Sequence, residues 1–172
     1  MNSHESAEVL QPRILIVYYT RTGNTEIFAQ QIKNLVGGDL FRIEEVEKYP
    51  PSYRDVLKVS KVEINNQIKP PIEKFVENIE QYDIIFVGTP NWYGTMAPPV
   101  ATFISSHNLS EKIIIPFATH GGGGEQHCLI DISKMCSNAN VLDGLAFYGS
   151  EAETSKSRLS TWLSKLKLLN NL

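Results

Sequence analysis

Three short apolar runs, at residues 14–19, 84–88 and 113–118, punctuate the chain, and each gives way to a polar, glycine-bearing loop. Runs this short, continuous rather than alternating and rich in β-branched residues, are what strands buried on both faces look like. Weaker strand patterns occupy 40–46 and 141–148. Between them apolar positions recur three and four apart: Phe28, Ile32, Leu35 and Val36; Ile72, Phe75, Val76 and Ile79; Val100, Phe103 and Ile104; Leu129, Ile132 and Cys136. A last set follows at Leu159, Trp162, Leu163 and Leu166. That spacing gives each segment one apolar helical face.

Strand and helix patterns alternate five times, which calls for an α/β fold: a five-stranded parallel sheet with helices on both faces. Right-handed crossovers make a three-layer, doubly wound sheet the economical topology. The stretch 47–71 fits less well, because it holds Tyr49-Pro50-Pro51 and Lys69-Pro70-Pro71 around only a short possible helix at 53–62. It reads as a long connection between the second strand and the second helix.

At 172 residues, 42% of them hydrophobic, the chain suits one core and not two. Residues 1–12 are polar and read as a disordered extension or a cap on the sheet edge, leaving 13–172 as one domain. They include Glu5 and Glu8 and no apolar stretch of the kind a signal peptide needs. No apolar run approaches the ~20 residues of a membrane span, so a soluble, cytoplasmic protein without membrane insertion is expected. The net charge of −3, with Lys and Arg dispersed, lacks the footprint of a nucleic-acid binder. On one helix, Cys128 and Cys136 would stand roughly 12 Å apart, too far for a disulfide. They read as small buried apolar residues.

Chemistry is expected in the loops that follow the strands. Thr20-Arg21-Thr22-Gly23-Asn24-Thr25 leads from the first strand into a helix. A helix N-terminus offers unpaired N–H groups and a favourable dipole to a phosphate, and the threonine hydroxyls and Asn24 add donors while Gly23 lets the backbone curl. The bland alternative, a helix cap at Thr22 or Asn24, does not require so many polar residues. Neither the Gly-Lys-Ser/Thr ending of a Walker loop nor the glycine spacing of a dinucleotide fingerprint is present.

After the third strand come Thr89-Pro90-Asn91-Trp92-Tyr93-Gly94-Thr95, whose aromatics either stack on a planar ligand or plug the core against the next helix. After the fourth come Thr119-His120-Gly121-Gly122-Gly123-Gly124-Glu125, where a glycine run suits backbone lying close to a flat ligand better than it suits a linker. His120, His127 and Cys128 match no familiar metal spacing, so no metal is expected. His4 and His107 carry no signal.

Together these three loops, in this order, resemble the phosphate loop and the two isoalloxazine loops of the flavodoxin family, and the resemblance covers nearly the whole chain from Arg13 onward. It implies a flavodoxin-like sheet of strand order 2-1-3-4-5 with flavin mononucleotide (FMN) at the switch between strands one and three. By that resemblance Thr20 to Thr25 cradle the phosphate and Trp92 stacks on or edges the flavin. Backbone around Gly94 and from His120 to Gly123 would meet its polar edge. The short final strand implies a short-chain member. Two departures stand out: electron-carrying flavodoxins are strongly acidic, and the tyrosine that commonly covers the second flavin face is missing from 119–125, which leaves one face open. The implied role is electron transfer with a redox partner protein. The alternative is an NAD(P)H-dependent quinone or flavin reductase taking a small quinone or nicotinamide. A phosphoacceptor domain of similar fold would need acidic residues where Tyr18, Tyr19 and Thr20 stand.

Overall fold

The computed structural model describes residues 10–169. Most of the expected N-terminal extension lies outside the described residues, and 10–12 are exposed and carry no secondary structure. The chain runs β1 (Ile14–Tyr18), α1 (Asn24–Val36), β2 (Asp39–Arg42), α2 (Tyr53–Asn65), β3 (Ile84–Trp92), β4 (Thr95–Met96) and α3 (Pro98–Ser106). It continues through β5 (Ile113–His120), α4 (Cys128–Met135), β6 (Asn140–Val141), β7 (Leu145–Tyr148) and α5 (Lys156–Lys165).

The strands β2-β1-β3-β5 lie side by side, all parallel, and both β6 and β7 add in parallel to the outer side of β5. Taking β6 and β7 as one interrupted strand and setting aside the hairpin strand β4, the order is the expected 2-1-3-4-5. Alternate residues feed opposite cores. Leu15, Val17, Ile85, Val87 and Ile114 pack on one face with Val100 and Phe103 of α3 and Ile132 of α4. Ile14, Ile16, Phe86, Ile115 and Phe117 pack on the other with Phe28 and Ile32 of α1 and with Leu159, Trp162 and Leu163 of α5. No helix among the described residues is long and apolar enough to cross a membrane.

Four expectations are corrected. The third strand does not stop at 88: it runs to Trp92 and turns back as β4, Asn91 facing Met96 and Trp92 facing Thr95, so the loop expected at 89–95 is a hairpin. The second strand, expected over 40–46, ends at Arg42, and Glu45 makes only an isolated antiparallel bridge to Ile72. The fifth, expected over 141–148, is broken between β6 and β7. The break faces the stretch of β5 around Pro116, whose nitrogen has no hydrogen to donate, and Gly144 there lies against the Pro116 carbonyl so closely that a Cβ would collide with it.

The helix expected over 72–79 is absent. The backbone there is taken up elsewhere: Val46 N–H donates to Pro71 O, Glu73 N–H to Glu44 O, and Val76 N–H to His107 Nε2 at 3.0 Å. Only a 3-10 turn, Ile79–Gln81, follows. Ile72 and Ile79 are buried, so their spacing mimicked a helical face, but Phe75 is 53% exposed. The second helix is α2, longer than the short one anticipated inside the connection.

Two tests follow from this packing. A Cβ on Gly88 would collide with the ring of fully buried Phe117. Gly88→Ala is therefore expected to lower unfolding stability by about 1–3 kcal/mol in urea melts, and an unchanged midpoint would refute the packing described. His107 holds the 72–79 segment to α3: its Nε2 accepts from Val76, and its Nδ1 faces Phe103 O at 2.8 Å, which assigns the neutral Nδ1–H tautomer. Burial pushes its pKa below the ordinary 6.5. The folded state thus resists a proton that the unfolded chain accepts, so this contribution is complete above 6.5 and is lost as pH falls. Urea midpoints taken from about pH 7.5 to about pH 5 should fall more steeply for the wild type than for His107→Gln; parallel slopes would contradict the assignment.

Candidate functional site

Parallel strands end at one edge, so the segments after β1, β3 and β5 meet there. After β1 the buried Thr20 turns the chain by accepting the Gly23 N–H on its Oγ1 at 3.0 Å. Gly23 has φ 94°, in the left-handed region that favours glycine, and a Cβ would meet only open space, so conformation rather than crowding selects glycine. Helix α1 begins at Asn24 with no side-chain cap on its first-turn N–H groups. Such uncapped donors are what an anion needs. Thr25 is buried, and its hydroxyl shares a 2.8 Å hydrogen bond with that of Thr119 at the end of β5, which ties the first loop to the third.

Arg21 points elsewhere. Its Nη2 donates to Pro51 O at 2.8 Å, and its guanidinium lies 5.9 Å from the Tyr53 ring centre. It joins the first loop to the segment that precedes α2.

Asn91 ties the hairpin to the glycine loop. Its Oδ1 accepts the Gly94 N–H at 2.9 Å, while its Nδ2 donates to Gly124 O at 2.8 Å and to Gln126 Oε1 at 2.9 Å. The hairpin and the glycine loop are thereby joined. Trp92 satisfies both of its expected readings: it packs edge-on against Tyr19 and Tyr49, with centroids 5.5 and 5.0 Å away, and it also lines the cleft.

The resulting cleft has a volume of about 350 Å3 and is lined by Thr20, Arg21, Thr22, Asn24, Thr25, Pro90, Asn91, Trp92, Thr119, His120 and Gly121 among the expected residues. This volume falls within the range of small-ligand sites. Among the described residues no carboxylate lines it. Gly23 shapes the loop without lining the cleft. Tyr93 and Gly94 sit at the hairpin tip with φ 51° and 83° and line a different groove, of about 600 Å3, against α2 and α4. The Tyr93 hydroxyl donates to Leu57 O at 2.9 Å, so its ring is directed to α2. Gly122 and Gly123 stand outside the lining. In the glycine run only Gly122 and Gly124 have positive φ, at 123° and 74°. His120 Nδ1 accepts the Gly122 N–H at 3.1 Å and so shapes the loop.

Sequence reasoning missed Tyr53, Tyr148, Gly149 and Ser150, all of which line the cleft. Tyr148 ends the fifth strand and Gly149 and Ser150 follow it, at the edge where the rule that singled out the other loops applies equally. Tyr148 stands edge-on to His120 at 5.6 Å, and Gly149 leaves room for the Asn24 side chain, which a Cβ would strike. The missing tyrosine of 119–125 thus has tyrosines from other segments nearby. Nothing in the sequence brings Tyr53 here; only the fold does. Burial pushes the Cys128 and Cys136 thiols up to about 12 and about 11, which leaves them inert, and both are free. Among the described residues no three His, Cys, Asp or Glu side chains gather as a metal site.

Known proteins share this architecture. A crystal structure described as a flavoprotein of Bacteroides eggerthii superposes with a TM-score of 0.80 at 30% identity, over 90% of this chain and 98% of that one. A Lactobacillus acidophilus flavoprotein crystallised in complex with FMN gives a TM-score of 0.72 at 22% identity, over 84% of this chain and 98% of that one. Among curated proteins, one named NAD(P)H dehydrogenase (quinone) from Paraburkholderia phymatum is 26% identical over 146 residues, 78% of this chain and 71% of its own length. The family model described as Flavodoxin matches residues 13–166. With that match spanning nearly all of the described chain, the protein belongs to the flavodoxin family.

Proposed function

We propose that the cleft binds FMN and that the protein is an electron carrier of the flavodoxin type, working in the cytoplasm with a redox partner protein. The observation that carries this reading is the cleft itself: among the described residues no carboxylate lines it, and it is bordered by the uncapped N-terminus of α1 and by the indole of Trp92. The donor set fits the phosphate. First-turn N–H groups of α1 and the hydroxyls of Thr20, Thr22 and Thr25 suit its oxygens, with Asn24 beside them. Pro90, Asn91 and Trp92 of β3, with Thr119 and His120 of β5 and Gly121 just beyond it, line the part of the cleft left for a planar ring.

FMN when bound supplies reversible one- and two-electron chemistry, and the protein tunes it through stacking, hydrogen bonds and nearby charge. The chain's own part is to bind and orient. Asn91 keeps the two ring-side loops in register, and the buried Thr25–Thr119 bond keeps the phosphate end at a fixed distance from them. No side chain of the cleft is needed as an acid or base.

A second reading, an NAD(P)H-dependent quinone or flavin reductase, is favoured by the name of the Paraburkholderia relative and by a net charge of only −3, which gives little electrostatic steering toward a basic partner.

Two measurements test these readings. Titration of FMN with the protein should quench flavin fluorescence at one site with a Kd of roughly micromolar or below; a protein that leaves the fluorescence unchanged is not an FMN protein. In Gly23→Val, which forces a β-branched residue into the left-handed region, the Kd for FMN should rise by about tenfold or more, with a smaller change for riboflavin. Under the carrier reading, the FMN-loaded protein should not oxidise NADPH unless a separate reductase is added. Sustained turnover with a quinone and no added reductase would replace that reading with the second one.

A further inference from the structure

Tyr49 stands between β2 and α2, in the connection that the sequence pattern left without a role, and it makes contacts on several sides. Its N–H donates to Oε1 of buried Glu45 at 3.4 Å, and its hydroxyl donates to Oε2 of Glu63 on α2 at 2.6 Å. Its ring meets the indole of Trp92 at 5.0 Å and 85°, and Tyr19 closes a triangle, 6.5 Å from Tyr49 and 5.5 Å from Trp92. Rings arranged edge to face in this way attract one another through their quadrupoles. The backbone adds stiffness, because Pro50 and Pro51 have fixed φ and restrict the residue before them. Burial, followed by the Glu63 carboxylate, pushes the Tyr49 phenol well above its ordinary range, so it remains a donor.

We propose that Tyr49 is a positioning residue: anchored on Glu63, it fixes the angle at which Trp92 presents its indole to the cleft and thereby sets how tightly the ring end of the ligand is held. This rests on the FMN reading above. The indole is the only one at the cleft, and it is held from behind by Tyr19 and Tyr49. Tyr19 belongs to the buried continuation of β1 and cannot move independently, whereas Tyr49 is held by its hydroxyl bond, its backbone bond and ring packing. Loss of the hydroxyl bond frees the ring; loss of the ring frees the indole. The link to the phosphate end is indirect: Arg21 donates to Pro51 O, two residues beyond Tyr49, so a substitution at Tyr49 acts first on the ring end.

The test labels the two tryptophans, Trp92 and Trp162, with 5-fluorotryptophan and assigns them by Trp92→Phe. In Tyr49→Leu the fluorine signal of Trp92 should shift and broaden while that of Trp162 holds still. Dissociation constants for FMN and for riboflavin, measured by fluorescence quenching, should rise together by roughly five- to tenfold. Tyr49→Phe should move both readouts in the same direction by less, and Glu63→Gln, whose amide oxygen still accepts the phenol, should match the wild type. An unmoved Trp92 signal in Tyr49→Phe and Tyr49→Leu overturns the proposal, as do affinities within about twofold of the wild type or a loss confined to FMN. If Tyr49→Leu does not fold, Tyr49→Phe against Glu63→Gln decides. A wild type that binds neither flavin rejects the FMN reading, while the fluorine spectra still report on Tyr49; a wild type that binds with variants at parity rejects the positioning role alone.

Discussion

Parallel pairing is the constraint on which the remainder depends. Two parallel neighbours cannot be joined by a tight turn, so each return must cross a face of the sheet as a helix or a long connection. β1, β3 and β5 therefore release their chain at one edge: Tyr18, Gly88 and Phe117 lie side by side, and β1 ends there while β3 and β5 run on to Trp92 and His120. A cleft forms there without any loop having to be long. What the loops add is attachment to each other: a hydroxyl pair between Thr25 and Thr119, an amide from Asn91 to the glycine loop, a guanidinium from Arg21 to Pro51.

The absence of carboxylates along the cleft gives this geometry its chemical direction. Elsewhere the surface is crossed by acid–base pairs such as Arg42 with Glu26 and Glu44, and Lys48 with Glu44 and Glu73. Those pairs are exposed, and each contributes little to stability. Their arrangement nevertheless leaves Arg21 as the cation that borders the cleft, bonded to a neutral carbonyl instead of a carboxylate. An anion entering beside α1 meets donors, while Glu26 of the first turn is held outside the lining by Tyr18 and Arg42.

The parts legible in the sequence were those whose physics is local. β1, β3 and β5 are apolar on both faces, and that can be read from a few consecutive residues; the loop after β1 announces itself by crowding hydroxyls against a helix start. The edge strand β2 and the broken β6–β7 pair were blurred because an edge strand is buried on fewer sides, and because the interruption is imposed by Pro116 on the neighbouring strand. α2 was underestimated since only Val56 and Ser60 of its residues are buried, which leaves little periodic signal, while Ile72 and Ile79 gave a false one. Tyr53 reaches the cleft through tertiary arrangement, to which no spacing along the chain points, whereas Tyr148 stands at a strand's carboxyl end, where the edge rule used for the other loops also applies.

The interruption opposite Pro116 has a consequence for how the molecule meets its own copies. A long, flat outer strand offers a row of unpaired backbone groups on which another chain can extend the sheet. Here the outer position beside β5 is filled by two short pieces, Asn140–Val141 and Leu145–Tyr148, separated by a bend at Gly144. Among the described residues no continuous ladder is exposed on that side, and an incoming strand would lose its register at the bend. The same proline that spoils the fifth strand thus shields a parallel sheet from growing past its own boundary, and that protection holds whether or not a ligand fills the cleft at the sheet's end.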